Sequence, residues 1–308
     1  MIAKPVVDVL LGTYNGGKYL EEFLNSLIQQ HGVSINLIVS DDGSTDKTID
    51  ILNLYKDRFP GFKLVRGPGK GAAQNYLSLL HYSQNRFAAF ADQDDIWDSR
   101  HLINSVDRLN SYSDIPALSY SAAIEYYEDK KKPERIWPDR NQITNFDSIL
   151  FKNYARGCTI ALNKSAVDLI NSRTPKHIVM HDWWALQVVF VHGEVIFAEN
   201  PEVFYRIHDS NVIGVPHRWK SYRNFLKQLM LGKWGPMGQA MELNDLFGNS
   251  MDLELRLTLD EFLRLQRFSL RQIFKRISHK FFAKEEFVNE ISLRFIVFLI
   301  PIAARNWK

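Results

Sequence analysis

The chain has 308 residues, 45% of them hydrophobic and 24% charged, an ordinary globular composition that suits one large domain or two smaller ones. A net charge of +3 points to no particular partner, and the single cysteine, Cys158, excludes an intrachain disulfide and fits a reducing compartment. The N-terminus reads without the apolar core of a signal peptide, and no run of 18 or more apolar residues offers a membrane span.

Val6–Leu11 predicts a first strand, interrupted only by Asp8, that ends in Gly12-Thr13-Tyr14-Asn15-Gly16-Gly17. Leu20, Phe23, Leu24, Leu27 and Ile28 follow at helical spacing. Ile35–Val39 predicts a second strand, ending at Ser40-Asp41-Asp42-Gly43-Ser44-Thr45-Asp46. Ser44 or Thr45 suits the N-cap of the next helix, through Ile49, Ile51, Leu52 and Tyr55. Phe62–Val65 predicts a third strand, and Gly67-Pro68-Gly69-Lys70-Gly71 opens a helix through Leu77 and Leu80. Phe87–Ala91 predicts a fourth strand, followed directly by Asp92-Gln93-Asp94-Asp95. Strand–helix alternation of this kind indicates a parallel α/β sheet with right-handed crossovers.

In such sheets ligands bind beyond the carboxyl ends of strands. The polar clusters 13–17, 40–46 and 92–95 all fall at those ends. Three carboxylates after a buried strand suit a hard divalent cation, which takes one or two carboxylates plus substrate phosphates. The competing reading of 92–95 is a surface loop whose acids favour the start of the next helix.

Beyond residue 110 the pattern is mixed. Ala117–Ala123, Cys158–Leu162, Val195–Ala198 and Val203–Tyr205 predict strands, with Arg156-Gly157 preceding the second of these. His181-Asp182-Trp183-Trp184 opens a helix to about Val191, and Gly214-Val215-Pro216 and 232–238 read as breaks. Charge is uneven: residues 264–308 carry ten Lys and Arg against three Glu, a balance of +7, and the rest of the chain balances at −4. From Trp219 the tail reads as helical. Leu270, Ile273, Phe274, Ile277 and Phe281 share one face, which Arg271, Lys275, Arg276, Lys280 and Lys284 mostly avoid. Such a basic amphipathic helix lies on an anionic membrane surface or packs on the main domain with its basic face solvated.

Five motifs in order resemble family 2 of the inverting glycosyltransferases, with the nearest likeness to bacterial rhamnosyltransferases of surface polysaccharide synthesis. They are Thr13-Tyr14-Asn15-Gly16, Asp41-Asp42-Gly43-Ser44-Thr45-Asp46, Asp92-Gln93-Asp94-Asp95, His181-Asp182-Trp183-Trp184 and the segment from Tyr205-Arg206-Ile207-His208 to Gly214. The resemblance implies an α/β nucleotide-diphospho-sugar transferase fold of GT-A type, with a Rossmann-like, mostly parallel sheet. It implies a catalytic domain over 1–215 and a helical, basic region over 216–308.

Carried over by position, Thr13, Tyr14 and Asn15 match the first nucleotide-contact loop. Asp42 matches the acid that accepts from the ring N–H of uracil or thymine; alternatively it is a turn-forming Asp before Gly43. Asp92 matches the ribose contact and Asp94 the ligand of a Mn2+ or Mg2+ ion. His208 matches a second metal ligand, Arg206 is placed to neutralise phosphate, and Asp95 reads as a supporting residue or cap. Asp182 matches the catalytic base that takes a proton from the acceptor hydroxyl, with His181 as its neighbour or part of the metal environment. Gly157, Trp183 and Trp184 match the acceptor side, one tryptophan reading as core. Cys158 reads as a buried strand residue. Gln74 departs from the family, where Arg often precedes the residue matching Asn75. The same turn lacks the Lys-Ser/Thr ending of a P-loop, which excludes a nucleoside triphosphatase on that motif.

The expectation is a metal-dependent inverting transferase that moves a sugar, best read as L-rhamnose from a dTDP donor, to a lipid-linked glycan at the cytoplasmic face of the membrane. Alternatives are a UDP-sugar transferase of the same family and a catalytically silent sugar- or nucleotide-binding protein. A processive synthase is disfavoured by the lack of a Gln-x-x-Arg-Trp motif, and a nucleic-acid binder by the acidic body.

Overall fold

The computed structural model describes residues 3–127, 134–138, 145–208 and 235–264. The amphipathic segment read over 270–284, the tail through 308 and the motif residues 209–214 lie outside the described residues. The chain divides into two compact units: residues 1–143, 153–174 and 180–214 form the first, and residues 144–152, 175–179 and 215–308 the second.

The first unit opens with β1 (Val6–Thr13), α1 (Leu20–Ile28), β2 (Ser34–Asp41), α2 (Thr48–Tyr55), β3 (Gly61–Arg66), α3 (Ala72–Leu80) and β4 (Phe87–Asp92), the alternation predicted. α1 buries Leu20, Phe23, Leu24 and Leu27 completely, each contributing about 1.5–3 kcal/mol. β5 (Ile96–Trp97), α4 (His101–Leu109), β6 (Ala117–Tyr127), β7 (Arg135–Trp137), β8 (Ile160–Asn163), α6 (Lys164–Asn171), α7 (His181–His192) and β9 (Glu194–Ile207) complete it. One sheet of nine strands runs β3-β2-β1-β4-β8-β6-β9-β5, with β7 beside β6. The pairs β1–β2, β1–β4, β2–β3 and β6–β9 are parallel. The pairs β4–β8, β5–β9, β6–β7 and β6–β8 are antiparallel. The first four strands pair in parallel, the later strands pair in both senses, and the whole sheet is mixed.

Asp8 breaks the apolar run of β1 because it is a fully buried staple. It accepts from Asn36 Nδ2 (2.7 Å), Ser83 Oγ (3.0 Å), the Gln84 and Asn85 amides (2.8 Å each) and Asn85 Nδ2 (2.6 Å). Five donors compensate the desolvation of one carboxylate.

Two expectations are corrected. The start of α2 is served by Asp46, which accepts from the Thr48 amide at 3.0 Å, while the Ser44 hydroxyl is committed to Asp41. The break read over 232–238 gives way at Gly235, where a helix runs Gly235–Phe247; Pro236 is tolerated there because the first turn of a helix has no partner for its missing N–H.

The second unit contains that helix, the helix Leu253–Arg264 and α5 (Phe146–Phe151). Phe151 meets Phe262 edge to face at 4.7 Å, and Gln239 Oε1 accepts from the Val179 amide at 2.8 Å. Among the described residues no helix is long and apolar enough to cross a membrane.

Candidate active site

Strand register gathers the acids. Thr13 lies opposite Asp41 and Gly12 opposite Asp92, so the ends of β1, β2 and β4 meet at one edge. Thr13 Oγ1 donates to Asp41 Oδ2 at 2.9 Å, and Asp41 Oδ1 accepts from the Gly43 and Ser44 amides at 3.1 and 2.8 Å. Asp41 thus shapes the turn that presents Asp42. The Asp42 carboxylate accepts from Gly69 N at 2.7 Å and Gly71 N at 3.2 Å. Both glycines hold positive φ, +65° and +84°, which lets their amides converge on it.

Asn15, at φ +47°, crosses to the same turn, accepting from the Thr45 amide at 2.8 Å while its own amide donates to Ser44 Oγ at 2.9 Å. Tyr14 projects an exposed ring. Its backbone is clasped by Gln93, whose Oε1 accepts from the Tyr14 amide and whose Nε2 donates to the Tyr14 carbonyl, both at 3.0 Å. A Cβ on Gly16 would stand 2.1 Å from Gln93 Oε1, so any larger residue there would displace the Gln93 side chain from this clasp. No role was read for Gln93 from the sequence.

The four residues after Ala91 divide their tasks. Tyr76 Oη lies 2.6 Å from both the Ala91 carbonyl and Asp92 Oδ1. One phenolic proton cannot serve both oxygens, and a proton retained on Asp92 satisfies both contacts. Burial, then the neighbouring Asp94 carboxylate, push Asp92 up to about 7. Asp94 Oδ2 lies 2.8 Å from His208 Nε2, so the two expected metal ligands converge. A carboxylate oxygen and an imidazole in contact, with a diphosphate completing the shell, fit a Mn2+ or Mg2+ ion. Asp95 is buried, accepts from the Arg206 amide at 2.9 Å, and is pushed well above its ordinary range by burial and by Asp94. Asp92, Asp95 and Cys158 bring their ligand atoms within 4.8 Å of one another. The fully buried Cys158 thiol is itself pushed up by desolvation.

Arg206 is more enclosed than a phosphate clamp would be. It pairs with Glu22, donates from Nε to the Asp94 carbonyl at 2.8 Å and lies over Tyr19 and Tyr126.

Asp182 occupies the first turn of α7 and is buried. Oδ1 accepts from the Trp183 amide at 2.6 Å and Oδ2 from the Gly157 amide at 3.1 Å. Burial pushes its carboxyl up to about 6 against these hydrogen bonds. Among the described residues His181 joins no cluster of metal-ligating groups. It stacks on Tyr76 at 3.8 Å, meets Phe90 at 4.8 Å, and burial holds it neutral with a pKa down at about 3. Of the two tryptophans read for the acceptor side, Trp184 is 0% exposed and is the core member, and Trp183 is 6% exposed. Sequence reasoning also passed over Tyr76 and Arg156, since an aromatic inside a helical pattern and an arginine before a strand carry no local signal.

A sheet of this order, with Asp-x-Asp after β4 and a buried acid opening a later helix, is the GT-A class of glycosyltransferase fold. The chain belongs to Glycosyl transferase family 2, whose profile it matches over residues 8–169, more than half its length. It is 28% identical over 242 residues to the dTDP-rhamnosyl transferase RfbG of Shigella flexneri, covering 73% of this chain and 80% of that one. It is 36% identical over 178 residues to the putative teichuronic acid biosynthesis glycosyltransferase TuaG of Bacillus subtilis, covering 56% and 68%. Among solved structures it resembles S. aureus TarS 1-349 in complex with UDP-GlcNAc, with a TM-score of 0.58 at 14% identity over 98% of this chain and 89% of that one. The mannosyltransferase PcManGT from Pyrobaculum calidifontis, in complex with GDP-Man and Mn2+, gives a TM-score of 0.54 at 14% identity over 99% and 88%.

Proposed function

We propose that this glycosyltransferase is a metal-dependent inverting enzyme that moves L-rhamnose from a dTDP donor to a lipid-linked glycan in the synthesis of a bacterial surface polysaccharide. The observation that carries the reading is Asp182: a buried carboxyl, pushed up to about 6 and fixed by two backbone amides, in the unit that holds the Asp94–His208 pair. In a single displacement Asp182 takes the proton of the acceptor hydroxyl while the nucleoside diphosphate leaves from the opposite face of the sugar. Asp94 and His208 would hold the cation, which when bound neutralises charge on the leaving diphosphate. Asp42 and the Tyr14 loop receive the nucleotide, Asp92 the ribose, and Gly157 lies on the acceptor side.

The rhamnose donor is supported by the named activity of the Shigella relative, and the surface-polysaccharide setting by that of the Bacillus relative. A UDP-linked donor is the second reading, because uracil and thymine present the same ring N–H to Asp42. Residues 1–215 carry the catalysis in this proposal, and the basic region from 264 onward docks at the anionic inner face of the cytoplasmic membrane.

Full-length protein incubated with dTDP-, UDP- and GDP-sugars, with Mn2+ and then with EDTA, tests the reading. Turnover is expected to be fastest with dTDP-rhamnose and lost on chelation. Undiminished transfer by Asp94→Ala or Asp182→Asn would overturn the mechanism.

A further inference from the structure

Arg156 takes no part in the mechanism above, yet it is held with unusual care. Its guanidinium lies 3.9 Å from the centre of the Tyr205 ring and 4.5 Å from that of Trp137. Nη2 pairs with Glu125, and the Arg156 carbonyl accepts from both the amide and the hydroxyl of Thr159 at 2.9 Å. Two rings lie against the guanidinium faces, which leaves its edges for hydrogen bonding. One edge is taken by Glu125. On the other, Nη1 is buried and has no hydrogen-bond partner among the described residues. A buried guanidinium N–H left unspent is costly and requires an explanation. An aromatic clamp that fixes it there points to an oxygen that arrives with a ligand.

The position says which ligand. The charge of Arg156 is felt by Asp92 and Cys158, both in the Asp-x-Asp corner. The next residue, Gly157, donates its amide to Asp182. Arg156 therefore bridges the diphosphate side of the site and the base. A sugar whose anomeric carbon is attacked beside Asp182, while its diphosphate rests at Asp94, has to span that interval. Glu125 neutralises the guanidinium, so the pair offers a directed hydrogen bond without net positive charge. Such a donor selects a hydroxyl or ring oxygen over a phosphate.

We infer, building on the glycosyl-transfer reading above, that Arg156 is a specificity-determining residue of the donor subsite, its Nη1 donating to a hydroxyl oxygen of the transferred sugar. Arg156→Lys keeps the charge but loses the fork, and Arg156→Gln loses both. Glu125→Gln retains Nη1 and relieves only the pairing.

The test combines calorimetry of dTDP and UDP binding with kcat/KM over a panel of nucleotide sugars that includes deoxy analogues of the preferred donor. Both Arg156 variants should bind the free nucleotides within about twofold of wild type. Their kcat/KM for the preferred donor should fall about 10- to 100-fold, and discrimination against one deoxy analogue should collapse. Glu125→Gln should keep that discrimination. Parallel loss of free-nucleotide affinity in Arg156→Lys would reduce Arg156 to a scaffold residue and overturn the inference, as would unchanged sugar preference. Should Arg156→Gln fail to fold, Arg156→Lys decides. Absence of turnover by wild type on every donor would instead sink the glycosyl-transfer reading, and the inference with it.

Discussion

A base must be unprotonated to accept a proton, and burial pushes the Asp182 carboxyl up to about 6. Under the proposed mechanism kcat/KM therefore rises with pH through about 6 and levels off above it, as a pH–rate profile would record. A histidine could mimic that limb, but His181 is held near 3 by burial. His181→Phe keeps a flat ring against Tyr76 and should leave the limb where it is. Asp182→Asn should cost about 10²- to 10⁴-fold in kcat. Its effect on stability runs the other way. The native carboxyl binds its proton more tightly than the unfolded one, with its ordinary value of 3.8, so keeping it ionised costs stability that grows as pH rises from there to about 6. A melt at pH 7 should show Asp182→Asn no less stable than wild type.

At the scale of elements, close approaches set the geometry. A Cβ on Gly12 would stand 2.9 Å from Tyr76 Cζ, where β1 and α3 touch behind Asp92. Gly12→Ala should displace the Tyr76 ring, weaken donor affinity and lower the melting temperature. Asp8→Ala strips the acceptor from five donors and should cost about 3 kcal/mol in a urea titration. The elements up to β4 were legible because their apolar runs and turns are local: Phe87–Ala91 could only be a buried strand. β9 was not. It runs unbroken through Glu199 and Pro201, and its continuity comes from pairing with β6, which absorbs Pro201 at an irregularity in register. β7 is three residues long and exists only as a partner of β6. The acids of the site were legible through their motifs. Arg156 was not, because Glu125, Trp137 and Tyr205 meet it from three different strands, and no spacing announces that.

For the molecule as a whole, one network contributes to acid resistance. Glu202, on β9, accepts from Arg108 Nη1 at 2.8 Å and Nη2 at 2.9 Å and from Asn104 at 3.0 Å, and contacts His101 Nδ1 at 3.2 Å, all on α4. Burial alone would raise its carboxyl, but these hydrogen bonds bring it down to about 2 from an ordinary 4.5. A depressed carboxyl contributes stability above 4.5 that is lost as pH falls toward 2, here about 3 kcal/mol. Glu202→Gln should flatten that acid limb in pH-dependent denaturation. Removing residues 264–308 should abolish sedimentation with anionic liposomes; retained binding by the folded truncation would refute the docking proposal. The Gln93 clasp on the Tyr14 backbone has a thermodynamic reading. It joins the loop proposed for the nucleotide to the loop of Asp94, so the two occupants should be reciprocal effectors. The factor by which Mn2+ tightens dTDP must equal the factor by which dTDP tightens Mn2+, and Gln93→Ala should shrink both by the same amount.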